Sequence, residues 1–265
     1  MLTSRSPNHT PYRDQFLHPT TIFLSVHKAA STFLTVEMAD AMTRVFPELT
    51  HVALAQEIVN GKRIESLPIA ATNMVVTRVY PDQYETLVES PVPEAGRFAD
   101  KKLIMLRRDP RDVAVSLYYS IRFSHTTKTR NKKHFLSRKA VLADLDVANG
   151  IAEITHKPSI KQFQATEAFL KKHPQTCLTT YEMLVGDLPA WIDRVKNHLQ
   201  WTDDQAASIS RGLAKAVKAP AKADPARHKR RVTPGNWKDV FDDRLREIYD
   251  RLIGPELEAA GYLWE

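Results

Sequence analysis

Lys28, Ser31 and Thr32 share one short stretch, Thr21-Ile22-Phe23-Leu24-Ser25-Val26-His27-Lys28-Ala29-Ala30-Ser31-Thr32-Phe33-Leu34. An ammonium and two hydroxyls so close together suit an anionic guest, and phosphate is the commonest. The first half of the stretch is apolar and partly β-branched, the pattern of a short buried strand. The second half opens an amphipathic helix whose apolar positions are Phe33, Leu34, Val36, Met38, Ala41, Met42 and Val45. A strand that enters a helix through Ala29, Ala30 and Ser31 leaves backbone N–H groups at the helix start. Those groups, the helix dipole and the Lys28 ammonium make an anion pocket. The stretch is not a Walker A loop, because the glycines of that motif are missing. Taken alone, a lysine in such a turn is more often just a loop.

A second segment, Arg107-Arg108-Asp109-Pro110-Arg111-Asp112-Val113-Ala114-Val115-Ser116, offers another anion site. Arg108 ends a strand expected over 102–108. Asp109 can cap the following helix and Pro110 suits its first position. Ser116 then falls about two turns into that helix. An arginine fork and a serine hydroxyl can hold a phosphate. The structural alternative is a capping network at the strand end through Arg111 and Asp112.

These residues need a scaffold, and the patterning supplies one. Strands are expected over 21–26, 73–79, 102–108 and 176–181, and residues 51–59 read equally as strand or helix. Helices are expected over 160–173, 187–199, 203–217 and 242–260, with Pro255 marking a break. Residues 90–101 and 218–236 are punctuated by proline and read as loops. Two strand–turn–helix units imply an α/β fold, a central mainly parallel sheet flanked by helices. One domain over 21–265, preceded by a loosely held arm over 1–20, accounts for the 265 residues.

Composition narrows the function. The formal net charge is +7 and the isoelectric point is near 9.4, which suggests anionic ligands. Solvated surface charge is the plain alternative. The single cysteine, Cys177, excludes an intramolecular disulfide and a cysteine-based metal site. Neither a signal peptide's apolar core nor a run long enough to span a membrane occurs, so a cytoplasmic location is expected. Residues 122–139 carry seven Lys or Arg and no Asp or Glu. They read as a loop or a mobile helix.

The two anion segments together resemble the nucleotide-binding signatures of the sulfotransferases that use 3′-phosphoadenosine 5′-phosphosulfate (PAPS). The first signature in that family reads Pro-Lys-Ser-Gly-Thr-Thr-Trp or, in many relatives, His-Lys followed by small residues and Ser-Thr. Here it reads His27-Lys28-Ala29-Ala30-Ser31-Thr32-Phe33. The second, Arg-Asn/Asp-Pro-Lys/Arg-Asp-Val-Ala-Val-Ser, is matched by Arg108 to Ser116 at nearly every position. A third, Arg-Lys-Gly-x-x-Gly-x-Trp-Lys, has its counterpart in Arg230-Arg231-Val232-Thr233-Pro234-Gly235-Asn236-Trp237-Lys238, and Tyr181-Glu182 matches the end of a family strand. The signatures fall in family order.

The resemblance implies a P-loop-like three-layer fold and PAPS as co-substrate, with the bisphosphate PAP as product and no metal. It implies that Lys28, Ala29, Ala30, Ser31 and Thr32 bind the 5′-phosphosulfate end, with Lys28 reaching the transferring sulfonyl group. Phe33 would stand against the adenine. Arg108 and Ser116 would take the 3′-phosphate, and Arg230, Arg231 and the Gly235 region would close over it. Tyr181 would help position the adenine or only pack. Val232 replaces a family glycine.

The family's catalytic base is often the His of Thr-His-x-Pro. This chain reads Thr77-Arg78-Val79-Tyr80-Pro81, so Arg78 takes the His position if one residue is inserted. Arginine cannot serve as a base, but it could hold the sulfonate. Glu57, Asp82, His125, His27 and Glu37 are the other candidates for the base. The acceptor is expected to be a small molecule, lipid or glycan, and the basic run suggests an anionic one. The oligomeric state is not encoded in these motifs. Three readings compete with the enzyme: a nucleotide-binding relative without turnover, a nucleic-acid-binding protein and a P-loop kinase. The kinase lacks its Walker pattern, and the nucleic-acid reading lacks aromatics interleaved with the basic run.

Overall fold

The computed structural model describes residues 18–64, 67, 69, 72–89, 101–124, 132–217 and 232–264. Its centre is a sheet of β1 (Thr21–Ser25), β2 (Thr50–Ala53), β3 (Met74–Val79), β4 (Lys102–Arg107) and β5 (Cys177–Thr180). The order is β2-β3-β1-β4-β5, and every pair is parallel. Parallel strands covered on both faces must be apolar throughout, and β1 is buried at all five positions. This is the α/β sheet expected from the two strand–turn–helix units. The stretch 51–59 resolves into both readings at once, with β2 passing directly into α2 (Leu54–Val59).

Helices cover the two faces. α1 follows β1 as Ser31–Phe33, runs through a π-helical turn Leu34–Met38 and continues as Ala39–Val45. α3 is Pro81–Glu89. α4 is Pro110–Tyr119, prolonged by a π-helical turn Ser120–Ser124. α5 (Lys132–Ala143) takes up the second half of the basic run, whose middle lies outside the described residues. α6 runs from Val147–Gly150 through Ile151–Thr155 into His156–Lys172. α7 (Tyr181–Gly186), α8 (Leu188–Leu199), α9 (Asp203–Leu213) and α10 (Asp243–Ala259) complete the set. The break expected at Pro255 is a kink at Ile253, since the proline ring disfavours helical geometry in the residues before it.

Alternation along the strands builds two cores. Phe23, Ile104 and Leu106 pack with Phe33, Leu34, Met38, Trp191 and Ile209 on one face. Ile22, Leu24 and Met105 pack with Leu54, Tyr84, Leu87 and Phe169 on the other. A third cluster joins α4, α6 and α10 around Tyr118, Phe163, Trp237 and Tyr249. Of the arm expected over 1–20, residues 1–17 lie outside the described residues. The last three are tied to the sheet: the His18 N–H donates to Asn73 Oδ1 (2.9 Å), and Pro19 bridges Thr72.

The strand order decides where the chemistry sits. β1 lies between β3 and β4, so the chain crosses to opposite sides on leaving and re-entering the sheet's centre. Ligands of such sheets bind outside the carboxyl ends of the strands at that switch point. Lys28 follows β1, Arg108 follows β4, and Arg78 and Tyr80 stand at the end of β3.

Candidate active site

The turn after β1 achieves without glycine what phosphate-binding turns usually achieve with it. Lys28 (φ 68°) and Ala30 (φ 56°) both adopt the left-handed conformation. That geometry costs a non-glycine residue on the order of 1 kcal/mol each and needs surrounding structure to enforce it. Three contacts do so. The Ala29 N–H donates to the Val26 carbonyl (3.2 Å). The Ala29 methyl is buried against Val26 and Val113. The Arg108 guanidinium donates through Nη1 to the Lys28 carbonyl (2.7 Å). Among the described residues no side chain caps the helix that begins at Ser31. Its first N–H groups and the positive end of its dipole therefore face the mouth of the turn.

Arg108 links the first anion segment to the second. It is buried over the Tyr181 ring, 4.0 Å from the centroid, with Nη2 3.5 Å from Asp112 Oδ2. Its Nε lacks a partner among the described residues. Burial and then the charge of Arg108 lower the Lys28 ammonium from 10.5 to about 8. Two cations held this close, one of them only partly neutralised, form a strongly anion-seeking spot.

Asp112 links the second segment to the third. Its Oδ2 accepts from the Gly235 N–H (2.9 Å) and its Oδ1 from the Trp237 N–H (3.0 Å). Gly235 sits at φ 78°, where glycine is at ease. The capping network expected through Arg111 and Asp112 is therefore corrected. Arg111 turns instead to Asp109, donating from Nε to Oδ1 (3.0 Å) and from Nη2 to Oδ2 (2.7 Å). Its guanidinium lies between the rings of Trp237 (3.8 Å) and Trp264 (4.5 Å), and Nη1 donates to the Leu263 carbonyl (3.0 Å). Asp109 also caps α4, accepting from the Arg111 N–H, as the sequence implied.

The structure thus brings together Lys28, Ala29, Ala30, Ser31, Thr32, Arg108, Tyr181 and Gly235. Ser116 stands half-buried further along α4. Phe33 is 6% exposed, edge-on to Trp191 in the core. As the third residue of an amphipathic helix it falls on the sheet-facing side, where its ring packs on Trp191. Tyr181 meets the packing alternative by covering Arg108. Arg230 and Arg231 lie outside the described residues.

Arg78 occupies a bulge. Ile22 pairs with Val76 and Leu24 with Val79, so two residues of β3 oppose one of β1. Arg78 absorbs the extra residue at φ 55°. Its Nη1 donates to Gln56 Oε1 (3.3 Å). Beside it, the Thr77 hydroxyl donates to Thr35 Oγ1 (3.2 Å) and lies 2.9 Å from His51 Nε2. Sequence reasoning missed this network and the bonds of Asp112 to the Gly235 segment. Asp112 was signalled by its place inside the second motif. His51 and Thr77 had no local signal, because their pairing depends on β2 lying beside β3.

A parallel sheet whose central strand ends in an anion-binding turn, locked by an arginine from the next strand, defines an α/β phosphate-binding protein. The sulfotransferase-domain family model matches residues 20–261. The chain belongs to this family, the PAPS-dependent sulfotransferases. Its fold is similar to that of the mouse sulfotransferase SULT7A1 complexed with PAP, at a TM-score of 0.55 and 16% identity over 90% of this chain and 84% of that one. Two structures of retinol dehydratase, one with androsterone and inactive cofactor PAP and one with retinol and PAP, each give a TM-score of 0.52. Their identities are 19% and 18%, and each covers 91% of this chain, with 81% and 82% of the other. No curated protein matches the chain in sequence.

Proposed function

We propose that this sulfotransferase moves the sulfonyl group of PAPS onto a hydroxyl or amine acceptor. The observation that carries the reading is the Arg108 contact to the Lys28 carbonyl. It joins the two nucleotide signatures at the carboxyl ends of adjacent strands, where an α/β sheet receives its ligand. The donor set fits the group. An uncapped helix start, a buried lysine and a partly unpartnered arginine offer fixed positive charge to a nucleotide carrying several phosphate oxygens.

When bound, PAPS supplies a sulfonyl group on a phosphate leaving group, and its transfer is an in-line displacement resembling phosphoryl transfer. The chain's task is then positioning and charge stabilisation. Lys28 and the N–H groups from Ala29 to Thr32 hold the 5′-phosphosulfate end. Lys28 stabilises the charge that grows on the leaving phosphate. Arg108 and Ser116 hold the 3′-phosphate. Gly235, tied to Asp112, brings the third signature to the same side. Arg78, at the end of β3, stands on the acceptor side and holds the sulfonate or an anionic acceptor.

PAP binding tests the nucleotide site directly. It should raise the melting temperature by an amount that grows with PAP concentration. No shift at millimolar PAP would refute the reading. Lys28→Ala should lower turnover far more than it weakens PAP binding, because the interaction is strongest in the transition state. An equal loss in both would reduce Lys28 to an anchor. Arg78 in place of the family's usual histidine favours one second reading, a nucleotide-binding relative without turnover. Release of PAP from PAPS in the presence of an acceptor panel decides between them.

A further inference from the structure

A sulfotransferase must dispose of the acceptor's proton, and Arg78 cannot take it. Several carboxylates weighed for the task are committed or displaced. Glu57 pairs with Lys62, and Asp82 opens α3 on the exposed side of the chain. A different pair stands at the mouth of the site. His27 immediately precedes Lys28 and is exposed. Its Nδ1 lies 3.2 Å from the Tyr80 hydroxyl, and the two rings overlap at 4.4 Å with 33° between their planes.

Tyr80 is well held for a positioning role. Its N–H donates to Gln83 Oε1 (3.2 Å), its carbonyl accepts from the Tyr84 N–H (3.0 Å), and Pro81 fixes the entry to α3. The charged groups acting on it are Arg78 and Asp82, and burial keeps its phenol protonated. The β3 bulge that displaces Arg78 also sets Tyr80 beside the end of β1. His27 and Lys28 are thus neighbours on one turn.

Resting on the PAPS reading above, we propose that His27 takes the acceptor's proton and that Tyr80 holds the imidazole in the tautomer and orientation this requires. The Nδ1–H donates to the Tyr80 oxygen, which leaves the lone pair on Nε2. The acceptor O–H bond breaks as an N–H bond forms at Nε2. The acceptor oxygen forms its bond to sulfur as the bridging S–O bond to the 5′-phosphate breaks, and the electron pair leaves with the phosphate beside Lys28. The exposed imidazolium then returns its proton to solvent.

The test compares acceptors of different acidity. Labelled PAPS is offered to wild type, His27→Ala, His27→Gln and Tyr80→Phe with 4-methylphenol and with 4-nitrophenol in mildly alkaline buffer, where only 4-nitrophenol is largely ionised. A proton acceptor matters for the first phenol and little for the second. Both His27 variants should lose about 100-fold or more with 4-methylphenol and less than about tenfold with 4-nitrophenol. Tyr80→Phe should show a smaller loss with the same preference. Hydrolysis of PAPS, with water as the weakly acidic acceptor, gives the same readout where neither phenol is taken. PAP-induced thermal shifts should persist in every variant, which shows that the fold and nucleotide site survive. A loss equal for both phenols, or no loss, overturns the assignment of His27 and leaves the PAPS reading intact. A wild-type chain that releases no sulfonyl group to either phenol or to water, yet is stabilised by PAP, overturns the PAPS-transfer reading itself and the role of His27 with it.

Discussion

At the scale of single residues, Lys28 concentrates the argument. It is held in a left-handed conformation that lysine does not favour, and it is buried beside Arg108. Its ammonium is lowered from 10.5 to about 8. Between those two values the unfolded chain holds the proton and the folded chain does not. Stability contributed by this group therefore rises with pH across that window and is lost as pH falls through about 8. Measured against Lys28→Met, wild-type stability in urea should increase from about pH 8 to 10.5. Phosphate binding runs the other way, since the ligand needs the charged form. PAP affinity should fall above about pH 8, by no more than Lys28→Ala costs it, and the Lys28→Met variant should lack that slope. A flat affinity profile in wild type would contradict the link between Lys28 and the nucleotide.

At the scale of elements, Asp112 is the joint. It stands in the first turn of α4, yet its oxygens receive N–H groups from the segment around Gly235, far along the chain, and it faces Arg108. Burial raises its carboxyl despite the favourable charge of Arg108, so its hydrogen bonds are needed to keep it in place. Removing it leaves a buried and a half-buried N–H group without their acceptor and an arginine without its counter-charge. Asp112→Ala should cost about 3 kcal/mol in urea denaturation. A loss below about 0.5 kcal/mol would show that the Gly235 segment is held by other contacts. The sequence placed Asp112 on a helix start but did not indicate that Arg108 and the Gly235 segment would be its partners. Arg111 prefers Asp109 because Trp237 and Trp264 flank its guanidinium, and neither ring is near it in sequence.

Across the whole molecule, the chain's last residues close the structure over the second signature. Tyr262 lies under Arg107 and donates to Glu182 Oε2 (3.4 Å). Leu263 gives Arg111 its carbonyl, and Trp264 stacks on the same guanidinium. Glu182 in turn accepts from the Asp109 N–H (3.1 Å), so the end of β4, α7 and residues 262–264 share one network. Deleting residues 262–265 strips partners from two buried arginines. It should cost about 3 kcal/mol or more, a fall of roughly 6–12 °C in melting temperature for a chain of this size. An unchanged Tm would mean that the network adds order but little stability.

The sequence by itself determined the elements and the identity of the anion-binding motifs. Apolar runs, a proline after a capping aspartate, and a lysine among small residues are patterns of a few consecutive positions, and such patterns act through local backbone preference. Hence the parallel sheet, the turn at Lys28 and the helix after Asp109 were legible. Tertiary structure alone decided which side chains meet. Phe33 had the spacing of a core residue, and its edge-on contact with Trp191, far along the chain, is a tertiary one. Lys28 and Arg108 meet because β1 and β4 are neighbours, and His27 meets Tyr80 because β1 also neighbours β3. That strand order is set by burying both faces of the sheet at once, a condition spread over the whole chain that no short window carries.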